Sequence, residues 1–417
     1  MKKKFYGKWI VLACFLIACF PVSIVNVTTS FYLAPICKEY GFSIGAFSIS
    51  YSIAALGAAI GAVAVGSIME KLDVKWIMAM GGLGSAVCFA GLSGASHLWQ
   101  FYLLFGCIDF FLAAISSVPL SYLVGKWYTD KRGTMTATVF VGVNLGGVIM
   151  SPVMEHVIGA YGWKCSVIAS GILIAVVAIP LSLFVIRRDP ASVGQRAFVY
   201  PEEQKKACRD TEAKSDFEGV ARKVAVKSPT FYLLAFGLIC LGMVSAGIMV
   251  HIPNHLGSLG MNYGVIVAVL SVAAIFGTLL NGLLFDKMGA IGGMFVTTVF
   301  LVIGSICLFM VGKIAALAYL MAITVGFSIC VANTGPPLLT STMYGMKDYS
   351  KLFGYQYAMF LAGCMLGPIT SGAIYDKTQS YDLVWIVFIV VSILMFISLF
   401  AAVKGAKHFR KGGAQAK

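Results

Sequence analysis

Charge is what this 417-residue chain has least of. Asp, Glu, Lys and Arg make up only 12% of it, against about 25% in an ordinary soluble domain. No G-x-x-x-x-G-K-[ST] stretch occurs, so nucleotide hydrolysis has no phosphate cradle in this chain. No HExxH, Ser–His–Asp or paired-carboxylate arrangement stands out, and an enzyme is not expected. The eleven cysteines are odd in number and lack metal-ligand spacing, which argues against a disulfide framework or a zinc site. No cofactor or metal is expected.

What the chain has instead is hydrocarbon. Hydrophobic residues form 59% of it and mean hydropathy is +0.89, the balance of an integral membrane protein. A helix needs about 20 apolar residues to cross a bilayer. Twelve runs meet that length, near 9–36, 45–70, 76–95, 98–125, 134–158, 164–187, 230–256, 263–285, 291–311, 314–342, 352–375 and 382–403. The N-terminus resembles a signal peptide, but the apolar run continues without a small-residue cleavage site and reads as a retained first span. The expected fold class is an all-α membrane protein, with twelve transmembrane helices in two six-helix pseudo-repeat bundles. The bundles span 1–187 and 230–404, joined by a hydrophilic linker at 188–229 and followed by a tail at 405–417.

Lys and Arg set the orientation. With both termini cytoplasmic, every one of the 31 falls on the cytoplasmic side except Lys38, Lys164, Lys313 and Lys377. That bias predicts a multi-pass protein of the cytoplasmic (inner) membrane with both ends inside. The net charge of +14 is then spent on orientation and anionic lipid headgroups, not on nucleic acid. The expected partners are membrane lipid and a small-molecule substrate, and the chain is expected to act as a monomer.

Shifting the sequence by 216 residues superposes the two halves. GSIMEKLD (66–73) meets GLLFDKMG (282–289), so that Gly66, Glu70 and Lys71 pair with Gly282, Asp286 and Lys287. The same shift pairs Gly61 with Gly277, Tyr128 with Tyr344, Gly147 with Gly363 and Pro152 with Pro368. Parallel repeats of this kind occur in secondary carriers. The repeated G-x-x-x-[DE]-[RK] at the cytoplasmic ends of the second and eighth spans resembles the motif of the major facilitator superfamily. In that family it latches the cytoplasmic side, the acid facing a helix N-terminus, and the resemblance implies that gating role for these six residues. GSIMEKLD departs from the motif, with Glu70 in place of Asp and Asp73 in place of Gly. WYTDKRGTMTATVFVGVNLGG (127–147) followed by YGWK (161–164) resembles the monocarboxylate and oxalate–formate carriers of the same superfamily. That likeness implies a small organic anion or acid moved by rocker-switch alternating access, as exchanger or proton symporter. Those carriers place a basic residue in the eighth or eleventh span, and here neither span has one. A proton-coupled carrier of a neutral or cationic metabolite or drug is therefore the alternative.

Polar residues inside the spans are expensive and mark solute pathways. The candidates for substrate binding are Asn26, Thr29, Tyr32, Ser117, Asn144, Thr278, Asn281, Asn333, Gln356 and Tyr357. Asp109, an acid well inside the fourth run, is the candidate for proton coupling. His251 and His255 lie four apart in VHIPNHLG, around Pro253. They read as solvated interfacial residues at a helix that has already ended.

Overall fold

The computed structural model describes residues 5–69, 72–128, 132–195, 220–345 and 349–412. The described residues are overwhelmingly helical. Nine segments are long and apolar enough to cross a membrane, and two shorter apolar helices cover Tyr263–Thr278 and Leu317–Ile329. The chain divides into two compact units. One comprises Met1–Phe42 with Ile49–Lys214, the other Ser43–Ser48 with Ser215–Lys417.

In the first unit the helices are α1 (Gly7–Ile17), α2 (Leu33–Tyr40), α3 (Ile44–Ile68), α4 (Val74–Gly91), α5 (Leu98–Leu112), α6 (Ser117–Trp127) and α7 (Arg132–Pro180). The segment from α1 to α2 is one apolar stretch, Gly7–Tyr40. Its middle is overwound and underwound by turns, with wide π-type turns at Ala18–Val22 and Ile24–Thr28 and a tight 3₁₀ turn at Thr29–Tyr32. Pro21 lies in the first wide turn, where its missing N–H removes a helical hydrogen bond. α7 is two arms bent at Gly162, whose φ is +81°. It packs on α4, on α1 and on the wide turns.

In the second unit follow α8 (Arg222–Lys227), α9 (Pro229–Ser258), α10 (Tyr263–Met310), α11 (Leu317–Ile329), α12 (Val331–Tyr344), α13 (Tyr349–Thr378) and α14 (Asp382–Gly412). α10 bends at Gly289, with φ +70° and ψ 177°, a backbone region open to glycine alone. The main packings are α10 on α11, and α9 on both α13 and α14. α9 does not end at Pro253, as the sequence suggested, but continues to Ser258.

The 216-residue repeat reappears as matching packing within each unit. Gly61 lies on the carbonyl of Phe110, and Gly277 lies on the carbonyl of Phe327. Gly146 on α7, next to the Gly147 that pairs with Gly363, rests against the carbonyl of Cys19, and Gly363 on α13 rests against the carbonyl of Ile239. A side chain at these glycines has no room, since its Cβ would meet backbone. The apolar exterior suits lipid: Val63, Phe184, Val176 and Trp99 are among the most exposed large side chains.

Candidate functional site

In the first unit polar side chains gather where helices break. α5 stops at Leu112, and residues 113–116 turn before α6 begins at Ser117. Ser116 has φ −107° and ψ −137°, outside the helical region. Pro119 follows within the first turn of α6. Ser117 is exposed at the start of that helix, and Asp109 lies half-buried on α5 one turn before the break. Among the described residues no ion pair reaches the Asp109 carboxylate. Asn26 is exposed in the wide turn Ile24–Thr28, while its flanking residues Val25 and Val27 are buried. α6 packs on α1. Asn144 on α7 is half-buried.

Irregular backbone inside a membrane is tolerated where it is buried in protein or lines a wet cavity. Discontinuous helices of this kind hold the substrate sites of secondary carriers. Chemically, the first unit offers an amide, a hydroxyl and an acid near freed backbone groups.

Other candidates are built into helix contacts. Thr29 Oγ1 donates to the carbonyl of Val25, a residue one turn earlier. Tyr32 is fully buried, and its hydroxyl bonds Ser166 Oγ at 3.0 Å and lies 3.5 Å from Ser170 Oγ, tying the first span to α7. Thr278 Oγ1 donates to the Ala274 carbonyl at 2.9 Å. Asn281 is buried: its Nδ2 donates to the Phe327 carbonyl at 3.0 Å, and its Oδ1 accepts from Thr297 at 3.4 Å. Gln356 is also buried, its Nε2 donating to the Phe231 carbonyl at 3.2 Å while Oε1 has no hydrogen-bond partner among the described residues. Tyr357 is exposed and stacks on Phe360 at 5.8 Å. The side chain of Asn333 lies outside the described residues, although α12 carries its backbone.

For the gating motif, Gly66 is exposed near the end of α3, and Lys287 is exposed on α10. Glu70 and Lys71 lie outside the described residues, as do the side-chain surroundings of Gly282 and Asp286.

Two features were not anticipated. Glu39 accepts from Trp163 Nε1 at 2.5 Å and pairs with Lys164 Nζ at 2.6 Å, so the YGWK turn is clamped onto α2. The other is a correction: His251 and His255 are buried, not solvated. The surrounding apolar residues argue against solvation, and Pro253 does not stop the helix. A proline removes one donor, and neighbouring contacts can still carry the helix through. Among the described residues no cluster of His, Cys, Asp and Glu could hold a metal ion.

Comparison with known proteins agrees with this architecture. The family model described as Major Facilitator Superfamily matches residues 11–347, and the chain belongs to that family. Relatives include the MFS-type transporter pynF of Aspergillus niger, 24% identical over 78% of this chain and 70% of that protein. Monocarboxylate transporter 12 of Homo sapiens is 20% identical over 90% of this chain and 76% of its own length. A gallate transporter of Pseudomonas putida is 26% identical, over 40% of this chain and 37% of that protein. Among solved structures, the nucleoside transporter NupG aligns with a TM-score of 0.71 at 14% identity, covering 96% of this chain and 99% of that one. At that identity the likeness speaks for the fold alone. The chain is a membrane-spanning transporter of this superfamily and not an enzyme.

Proposed function

We propose that this major facilitator moves a small organic acid or anion across the cytoplasmic membrane by alternating access, as an exchanger or a proton symporter. In this reading twelve crossings form two six-helix bundles, both termini are cytoplasmic and the carrier works as a monomer. The observation that carries the reading is the coincidence of broken helices with polar side chains, Asn26 in a wide turn and Asp109 and Ser117 on either side of a break. The names of two relatives, a monocarboxylate transporter and a gallate transporter, support the substrate class. The substrate candidates on the open faces are Asn26, Ser117, Asn144 and Tyr357.

A second reading, proton-coupled movement of a neutral or cationic solute, is favoured by Asp109. Among the described residues no ion pair reaches its carboxylate, and the eighth and eleventh runs hold no basic residue to supply an organic anion with the usual countercharge. Both readings give Asp109 the proton. Replacing Asp109 with Asn should leave substrate exchange intact and abolish accumulation driven by a pH gradient. Proteoliposomes loaded with labelled lactate, formate or a lipophilic cation separate the two substrate classes. Accumulation by Asp109→Asn that still follows the pH gradient removes the coupling role.

A further inference from the structure

The far end of α9 carries a polar cluster that transport chemistry, as argued above, does not use. His251 is completely buried. Its Nε2 lies 3.3 Å from the carbonyl oxygen of Pro368 on α13. A carbonyl only accepts, so that nitrogen carries a proton. In the neutral ring Nδ1 is then bare. It faces the hydroxyl of Tyr381, in the link from α13 to α14, at 3.0 Å, and the phenol must donate. The same phenol oxygen accepts from Asn254 Nδ2 at 2.5 Å. The chain of protons thus has one direction, from Asn254 through Tyr381 and His251 to Pro368. It joins α9 to α13 and to the start of α14.

The surroundings fix the members. The Tyr381 ring lies 4.4 Å from that of Tyr375 and stacks on Trp385 at 5.6 Å and 23°. His255, one turn along α9, bonds through Nε2 to the Leu308 carbonyl of α10 at 3.2 Å, and its ring meets Trp385 edge-on. The charges that act on the two imidazoles are Asp376 of α13, on His251, and Asp382 at the start of α14, on His255. From α10 the facing group is the Leu308 carbonyl.

We infer that His251 is a proton-accepting site, distinct from Asp109, whose occupation releases the end of α9 from α13 and α14. A second proton can enter only at Nδ1, the atom that now accepts from Tyr381. The two donors then face each other, and the phenol must turn its proton away for the imidazolium to bond its oxygen. The directional chain is broken at its centre, in a place where the ring is shut off from water. Acid thereby loosens one end of the second unit.

The test uses the purified full-length chain in detergent, with thermal unfolding followed from pH 8 to pH 5.5. The wild-type midpoint should fall on acidification, on the order of 2–4 °C, the shift expected when a domain of about 200 residues loses one such interaction. His251→Gln keeps a donor toward Pro368 and an acceptor toward Tyr381 but takes no proton, so its midpoint should stay flat. His255→Gln should retain the wild-type fall. Hydrogen exchange, corrected for its intrinsic pH dependence, should quicken at pH 5.5 across 249–258 in the wild type and not in His251→Gln. A wild-type midpoint that does not fall, or a fall of equal size in His251→Gln, overturns the site. Unchanged exchange at 249–258 overturns the release. Should His251→Gln fail to fold, Tyr381→Phe decides: without the hydroxyl the proton enters with no bond to break, so the acid fall should shrink, and an undiminished fall overturns the inference.

Discussion

Asp73 and Gly289 stand 216 residues apart at the same point of the repeat, and they make the same turn by different means. Gly289 adopts φ +70° and ψ 177° inside α10. Asp73 is extended, φ −72° and ψ 130°, and caps α4 by accepting from Lys75 N at 3.4 Å. The departure from the family motif at position 73 is thus a replacement of a backbone device by a side-chain one. Gly289→Ala should cost about 1–3 kcal/mol, the strain of a side chain in a glycine-only region. Asp73→Ala should cost about 0.5–2 kcal/mol, the loss of a helix cap. Thermal unfolding of both variants against the wild type measures the difference, and equal tolerance at both positions would refute it. By contrast Glu39→Gln should cost no more than about 1 kcal/mol, because its pair with Lys164 is half-exposed and screened. The motif glycines were legible in the sequence, since glycine before and after a charged pair has few other uses. The Asp73 cap and the Glu39 clamp were not, because each is completed by a partner that no spacing rule supplies.

At the scale of helices, hydrophobic run length located apolar helices, because a span must be long and apolar whatever its neighbours are, but among the described residues nine segments rather than twelve are long and apolar enough to cross a membrane. The breaks were harder. The interruption between α5 and α6 covers residues 113–116, and Pro119 follows it as the third residue of α6. Pro21 lies in the first wide turn of the first span, and nothing in the periodicity showed that two such turns and a 3₁₀ turn follow one another. The interruption recurs in the second unit at Cys330, between α11 and α12, and Cys330 is the 216-residue counterpart of Ala114. Close helix packing depends on a few glycines seated on carbonyl rows. Gly146→Leu and Gly363→Leu should each destabilise by about 1–3 kcal/mol or more, since the added side chain meets the backbone of Cys19 or Ile239. Gly66→Ala, with nothing near its Cβ position, should be close to neutral in the same unfolding assay. A Gly66 variant as damaging as the other two would undo the assignment of these close contacts.

For the molecule as a whole, membrane character followed from composition, a global quantity, whereas the family was legible through the motif repeated at residues 66–73 and 282–289. The solute site did not follow as directly. Asn281, and Gln356 through its nitrogen, have the partners that buried amides need, but these proved to be carbonyls of Phe327 and Phe231 on neighbouring helices. Side chains that line a path and side chains that tie helices have the same composition, and only their distant neighbours separate them. The cytoplasmic latch that the motif resemblance implies belongs to this scale too. Asp286→Asn should move the carrier toward inward-facing states, seen as changed labelling of cysteines introduced near the cytoplasmic ends of the spans. Unaltered labelling would remove Asp286 from that role. The central claim is that this chain carries a solute rather than merely binding one, and counterflow tests it most directly. Purified protein in liposomes preloaded with unlabelled lactate should drive a transient uptake of labelled lactate above equilibrium, with no pH gradient or nucleotide present. Saturable binding of the label without any overshoot, repeated across formate, sugars and lipophilic cations, would contradict it.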